Sequence, residues 1–234
     1  MKFLIIGSPY TGKTSLIEKF LIKNPNCFFL DIRNYRKLID KNYYKDNKNK
    51  IGPLLLQIKL LITKPKLIFV LFFFLFFSPR ILLRFWKFYF IQYFSQRKIL
   101  NLKDQMIIQD EGVLKKIYDS MPDELSNKKL FNWWKKNYKK INKKLIFTFS
   151  DYDKVIIITS PAKNIIERIK KRNEFSLNKL QKEAYLKRFI LQQTFYKNLL
   201  KILKENNVNT TMINNTNFNK SFLSFDKVLK IKKS

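Results

Sequence analysis

The 234-residue sequence predicts an α/β fold in which short buried strands alternate with helices, on three observations. Residues 2–6 (KFLII) are an apolar run of strand length, closed by Gly7 and followed at once by a glycine loop and an amphipathic helix. Residues 105–110 (QMIIQD) are a second such run, ending in an acid. Residues 154–159 (KVIIIT) are a third, leading through Ser160–Pro161 into a helix, with Pro at the first turn where its missing N–H costs nothing.

Composition bounds the chemistry before any motif does. Hydrophobic residues make up 46% and aromatics 16%, enough for a packed core, so wholesale disorder is excluded and a single domain carrying an insertion fits the length. One cysteine, Cys27, excludes a disulfide scaffold and any Cys-rich metal site. The absence of His (His 0) removes the commonest transition-metal ligand and general base, which argues against triad hydrolases and zinc enzymes. Asp, Glu, Lys, Arg, Ser, Thr and Tyr are left to do the chemistry. The net charge of +31 invites a nucleic-acid or membrane partner, yet a solvated Lys-rich surface explains it equally well in a chain crowded with Asn, Ile, Phe and Tyr. The arginines, only eight among 48 basic residues, are more informative because a planar fork is not replaced by Lys: Arg33, Arg36, Arg80, Arg84, Arg97, Arg168, Arg172 and Arg188.

The first strand and helix enclose Gly7, Ser8, Pro9, Tyr10, Thr11, Gly12, Lys13 and Thr14, which read G-x-x-x-x-G-K-T, and Ser15 follows. Gly7 and Gly12 allow a tight turn whose N–H groups point inward, and the helix that follows presents its positive end to the same anion. Lys13 is expected to bridge the β- and γ-phosphates of a nucleotide, and the Thr14 hydroxyl to ligate Mg²⁺. The apolar residues 2–6 are too few for the h-region of a signal peptide.

A strand is expected at 27–32 (CFFLDI), and about 70 residues then precede QMIIQD, far more than one crossover helix needs. Leu67–Phe77 within this insertion is apolar throughout; as a helix it is about 16 Å long, roughly half a bilayer's hydrocarbon thickness. Pro65 and Pro79 bracket it, and in the next stretch Arg80, Arg84 and Lys87 repeat along one helical face. Residues 47–103 hold no Asp or Glu against eleven Lys and Arg. Apolar bulk, Trp86, Tyr89 and unbalanced positive charge suit an anionic membrane surface. A helical cover over an acceptor site accounts for the same residues. Single-stranded nucleic acid fits less well, because residues 67–77 carry no charge.

At the end of the next strand, Asp110 and Glu111 precede Gly112. An acid there can hold Mg²⁺ or accept a proton from an attacking hydroxyl. Guanine-reading N-K-x-D is absent: NKKL at 127–130 and 142–145 places Leu130 and Leu145 where the acid is required, and Gln109 stands where a D-x-x-G switch needs Asp. Residues 127–141, with Trp133 and Trp134, read as a basic helix. The helix after Ser160–Pro161 places Ile165, Ile166 and Ile169 on one face and delivers Arg168 and Arg172 at i and i+4, two forks on one side suited to a transferring phosphate. A basic, solvated helix end has the same spacing. Residues 176–205 keep a 3.6-residue period and pack as one long helix, residues 208–213 (VNTTMI) read as a last strand, and a final helix is expected in the last twenty residues.

Strand, G-x-x-x-x-G-K-T, a strand ending in an acid pair, and strand–Ser–Pro–helix with E-R-x-x-x-R together resemble the P-loop nucleoside and nucleotide kinase superfamily, which includes thymidylate and adenylate kinases. The resemblance covers about half the chain. It implies a five-stranded parallel sheet in the order 2-3-1-4-5 flanked by helices, with the insertion at 47–103 building or covering the acceptor site and a lid over residues 160–180. By the same resemblance Arg168 and Arg172 are lid arginines contacting nucleotide and the phosphoryl group in flight, and Asp110 is the strand-end acid. The chain departs from the pattern after Asp110: Glu111 and Gly112 stand where thymidylate kinases place Arg, so the usual clamp on an acceptor's phosphate is missing. The expected protein is a cytoplasmic phosphotransferase, peripheral at the inner face of the membrane where the insertion contacts lipid. It would use Mg·ATP and a small-molecule or amphiphilic acceptor. The alternative is an ATPase coupling hydrolysis to movement, in which Asp110 holds Mg²⁺ and Glu111 polarises water; a nucleotide-binding membrane protein without catalysis is a third reading.

Overall fold

A computed structural model describes residues 1–31, 58, 60–77, 79, 81–83, 85, 86, 89, 90, 106–110, 112–171 and 179–230. Glu111, Arg172, Arg33, Arg36, Arg80, Arg84, Lys87 and Arg97 lie outside them, as do residues 47–57, 59, 78, 88 and the others from 91 to 103 of the insertion and residues 173–178 of the 160–180 segment.

Five parallel strands form one sheet: β1 (Lys2–Gly7), β2 (Phe28–Asp31), β3 (Ile107–Asp110), β4 (Lys154–Thr159) and β5 (Thr210–Asn214), in the order β2-β3-β1-β4-β5. The order 2-3-1-4-5 is therefore present. Register places Ile5 beside Asp110, Gly7 beside Ile158, and Thr159 beside Asn214, so the carboxyl ends of the strands share one edge. The strand expected at 154–159 has those bounds, and the other strand ends differ from expectation by at most two residues. At 27–32, for example, the ladder with β3 begins at Phe28, not Cys27, and runs to Asp31, the last described residue of that segment.

Around the sheet run α1 (Lys13–Lys23), α2 (Lys66–Phe77), α3 (Val113–Asp119), α4 (Lys128–Leu145) with a 3₁₀ turn (Ile146–Phe149), α5 (Ala162–Lys171), α6 (Lys179–Glu205) and α7 (Phe218–Lys230). Successive side chains of a strand point to opposite faces, and both faces of β1 and β4 are apolar. Phe3, Ile5, Ile156 and Ile158 pack with Leu16, Ile17 and Phe20 of α1 and Phe222 and Phe225 of α7. Leu4, Ile6, Val155 and Ile157 pack on the other face beneath α2, α3, α4 and α6. Continuous apolar strands covered on both sides are what a parallel sheet requires.

The basic helix extends further than 127–141. Asn127 caps it by accepting from the Leu130 amide at 2.9 Å, as a short polar side chain does at an N-cap. Its buried stripe, Phe131, Trp134, Ile141 and Leu145, holds the last turn to the core. Trp134 is fully buried and lies nearly parallel to Phe195 of α6, ring centres 6.2 Å apart, while Tyr138 stacks on the same ring at 4.5 Å. Asn142, in a row of lysines, is also fully buried: it accepts from the Tyr118 hydroxyl and donates to Phe195 O at 3.1 Å and to Asn198 Oδ1 at 3.0 Å. Burial pushes the Tyr118 phenol well above its ordinary value, so it stays neutral and donates. At the far end of α6 the chain turns through Asn207 at φ 56°, with the Val208 amide reaching back to Leu203 O at 2.9 Å, and so enters β5 beside β4.

Trp134→Ala is expected to cost about 3–5 kcal/mol, the range for a fully buried large aromatic. Urea unfolding measures it; Trp133→Ala, at a half-buried position, should cost clearly less.

Candidate active site

The loop from Ser8 to Gly12 joins β1 to α1 and is built from the sheet edge outward. At Gly7 a Cβ would lie 2.4 Å from Ile158 O on β4, so no side chain fits where the loop leaves the sheet. At Gly12 the backbone takes φ 81°, and a Cβ would lie 2.5 Å from Asn215 Nδ2. Between them Tyr10 has φ 61°, a left-handed conformation that costs an L-residue about 1–2 kcal/mol. Three contacts hold it. Arg168 Nη1 donates to Tyr10 O at 2.9 Å, the Tyr10 ring tilts on Phe189 at 5.4 Å, and Thr11 Oγ1 donates to Ser8 O at 3.0 Å.

A clasp from the other strand ends fixes the loop's far side. Asn215, just beyond β5, donates from Nδ2 to Thr11 O at 2.8 Å. Ser160, just beyond β4, donates from Oγ to Asn215 O at 2.9 Å, and its amide donates to Gln193 Oε1 on α6 at 3.0 Å. Arg168 Nη1 also reaches Ser160 Oγ at 3.2 Å. Arg168 is thus tied to the loop from α5, and Ser160 and Asn215 are site residues that strand-and-motif reading passed over. A lone Asn among several in NTTMINNTN carries no local sign of its role.

At the centre Lys13 Nζ is ion-paired to Asp110 Oδ1, with side chains 7% and 1% exposed. Lys13 opens α1, Asp110 closes β3, and the β1–β3 register brings them together. The loop opens on a 370 Å³ cavity lined by Ser8–Ser15 and by Lys115, Arg188 and Phe189. Thr14 and Ser15 stand exposed at its mouth, and the buried Ser8 Oγ has no hydrogen-bond partner among the described residues. Lys115, on α3, pairs with Asp119 at 2.5 Å, and Arg188 Nη2, on α6, donates to Asp119 O at 2.7 Å. Burial pushes the Arg188 guanidinium below its ordinary value while Asp119, Tyr185 and Asp123 push it back up; an Arg so placed remains a cation. Lys115 was invisible among 40 lysines, whereas Arg188 belonged to the informative set of eight.

Of the residues expected at the site, the structure brings together Gly7, Ser8, Pro9, Tyr10, Thr11, Gly12, Lys13, Thr14, Ser15, Asp110 and Arg168. Glu111 and Arg172 are not among those it describes. No group of three or more acidic or Cys side chains able to hold a metal ion occurs among the described residues.

With this geometry in place, the chain has an α/β fold built on a five-stranded parallel sheet in the order 2-3-1-4-5. It is similar to a deoxyadenosine kinase from M. mycoides with bound dATP, at a TM-score of 0.47 and 16% identity over 99% of this chain and 100% of that one. A second structure of a deoxyadenosine kinase from M. mycoides, with bound dCTP, aligns at 0.43 and 19% over 99% and 100% of the two chains. A protein from Thermus thermophilus aligns at 0.45 and 11% over 100% of this chain and 98% of that one. The fold class rests on the strand order and register themselves. No family model matches the sequence, and no curated protein matches it.

Lys13→Met alone should destabilise the protein by about 3–5 kcal/mol, the range for removing one member of a buried ion pair. Lys13→Met/Asp110→Leu should recover most of that loss while still failing to bind nucleotide. Denaturant unfolding and ATP titration of the two variants measure both effects.

Proposed function

We propose that the protein is a P-loop kinase that transfers the γ-phosphoryl group of Mg·ATP to a hydroxyl or phosphate acceptor. One observation carries the reading: the Lys13–Asp110 pair is buried beside a glycine loop whose Tyr10 carbonyl accepts a hydrogen bond from Arg168. A cation, an acid and a guanidinium are thus gathered where a nucleotide's terminal phosphates would sit.

The loop amides and the positive end of α1 bind the phosphate oxygens, and the unpartnered Ser8 hydroxyl has an acceptor to find there. Lys13 exchanges Asp110 for the β- and γ-oxygens. That exchange keeps a buried cation paired throughout and frees Asp110 at the moment an acceptor can be activated. Asp110 accepts the proton as the acceptor oxygen bonds to the γ-phosphorus; the bond from that phosphorus to the bridging oxygen breaks, and ADP leaves with the electron pair. Arg168 neutralises charge that develops on the transferring group. The Thr14 hydroxyl and an Asp110 oxygen are hard donors of the kind Mg²⁺ takes alongside waters and phosphate oxygens, so the residues fit that ion and would hold it; when bound it neutralises phosphate charge. Little covalent chemistry is asked of the protein, and the rate comes from positioning and electrostatics.

The acceptor side is cationic too. Lys115 and Arg188, both held by Asp119, line the same cavity, which favours an acceptor that bears an anionic group. The ATPase alternative turns on Glu111, which lies outside the described residues.

ADP release from Mg·ATP, assayed alone and with pooled nucleosides, nucleoside monophosphates, sugars and polyprenol-containing liposomes, tests the proposal against a Lys13→Ala blank. Turnover should require one pool, and Asp110→Asn should lower kcat by about 10²–10⁴. Arg168→Ala should lower it by about 10³ or more. Steady turnover without any acceptor, abolished by Glu111→Gln, would establish the ATPase instead.

A further inference from the structure

Helix α2 is too short to cross a bilayer: its 12 residues span about 18 Å of a roughly 30 Å hydrocarbon layer. More generally, no helix among the described residues is long and apolar enough to cross a membrane. Yet α2 is not wholly spent on the core. Leu67 and Val70 are buried against the sheet layer, whereas Phe69 is 68%, Phe72 56% and Leu75 49% exposed on the same helix, with Ile62 just before it 74% exposed. Three large apolar residues recurring every three positions form one outward stripe. Apolar surface gathered in this way, unlike scattered single residues, marks a contact site.

Beside the stripe lies a cleft of 600 Å³ between the start of α2 and the end of α4. Val70 and Phe147 line it, with Lys64, Lys66, Lys143 and Lys144. Lys66, Lys143 and Lys144 are exposed, and the acid facing the group is Asp151, 3.4 Å from Lys64. Cations therefore outnumber acids along an apolar edge, on the face of the sheet away from α1 and α7.

From this charge and apolar complementarity we infer that α2 and the lysine-lined cleft form a docking surface for an anionic phospholipid bilayer. Phe69, Phe72 and Leu75 enter the acyl boundary while Lys66, Lys143 and Lys144 take the headgroup phosphates. The arrangement is that of an interfacial helix, which lies in the headgroup plane and needs both terms to bind firmly.

The chain's overall +31 charge draws it to any anionic vesicle, so the test compares matched variants. The full-length protein is sedimented at physiological ionic strength with phosphatidylcholine vesicles, with and without about one third phosphatidylglycerol. Wild type should bind the anionic vesicles and not the neutral ones. Phe69→Glu/Phe72→Glu should bind at least about tenfold more weakly, whereas Ile22→Glu/Leu223→Glu, the same charge change at exposed apolar positions of α1 and α7, should bind like wild type. Lys143→Glu/Lys144→Glu should lose binding well beyond Lys220→Glu/Lys227→Glu, which changes net charge identically on the opposite face. Thermal unfolding checks each variant, and should the Phe pair fail to fold, the two lysine pairs decide. Equal binding by the matched pairs would overturn the proposal. So would self-association of the protein, abolished by the Phe69 and Phe72 changes, without vesicle binding: that result would seat a second copy on the stripe. The readout is sedimentation, so failure of the kinase assay leaves it untouched.

Discussion

Everything at the carboxyl edge of the sheet is arranged around one buried ion pair, Lys13 with Asp110. Neither charge could be placed there alone, because desolvating an unpaired ion costs several kcal/mol. Together they constrain the fold: α1 must start where β1 ends, and β3 must lie next to β1 in register, or the pair does not meet. They also neutralise each other's charge. In the proposed reaction a phosphate that enters would compete with Asp110 for the same ammonium, so that binding and release of the acid would be one event. That coupling would give the pair a function beyond holding the strands together.

The loop around the pair is kept from relaxing by neighbours distant in sequence. Tyr10 is held in a left-handed conformation whose carbonyl Arg168 engages, and Asn215 holds the next carbonyl, that of Thr11. These contacts turn loop carbonyls toward the α5 and β5 side, and a peptide fixed in this way has its N–H fixed as well. Ser160 links the two clasps, being within reach of both Arg168 and the Asn215 carbonyl. A loop preorganised in this way needs little reorganisation when charge develops beside it. The close approaches that permit it sit at Gly7 and Gly12, where a Cβ would strike β4 backbone or the Asn215 amide.

Much of this was legible in the sequence wherever the signal is local. KFLII followed by GSPYTGKT specifies strand, loop and helix within some twenty residues, and QMIIQD and KVIIIT are strands by apolar content and length alone. The strand order came from resemblance of the motifs in their order, not from any single segment. What escaped were residues whose role exists only after elements meet. Asn142 looks like a solvated position between lysines until α4 packs on α6 and Tyr118. Ser160 was read as a helix start, yet it also bonds the Asn215 carbonyl beyond β5. Lys115 could not be told from its many neighbours, although the turn after β3 brings it to the cavity wall. The exposed stripe on α2 was half legible: the apolar run is plain in sequence, but which side of it faces outward depends on which side the sheet takes.

The most direct measurement is an experimental structure with a non-hydrolysable ATP analogue and Mg²⁺, read at one atom. The account predicts Lys13 Nζ on the β- and γ-phosphate oxygens, Asp110 released toward the 370 Å³ cavity, and Arg168 still bonded to the loop. A nucleotide bound on the Ser8–Ser15 loop while Lys13 remains on Asp110, or a nucleotide seated elsewhere, would contradict it.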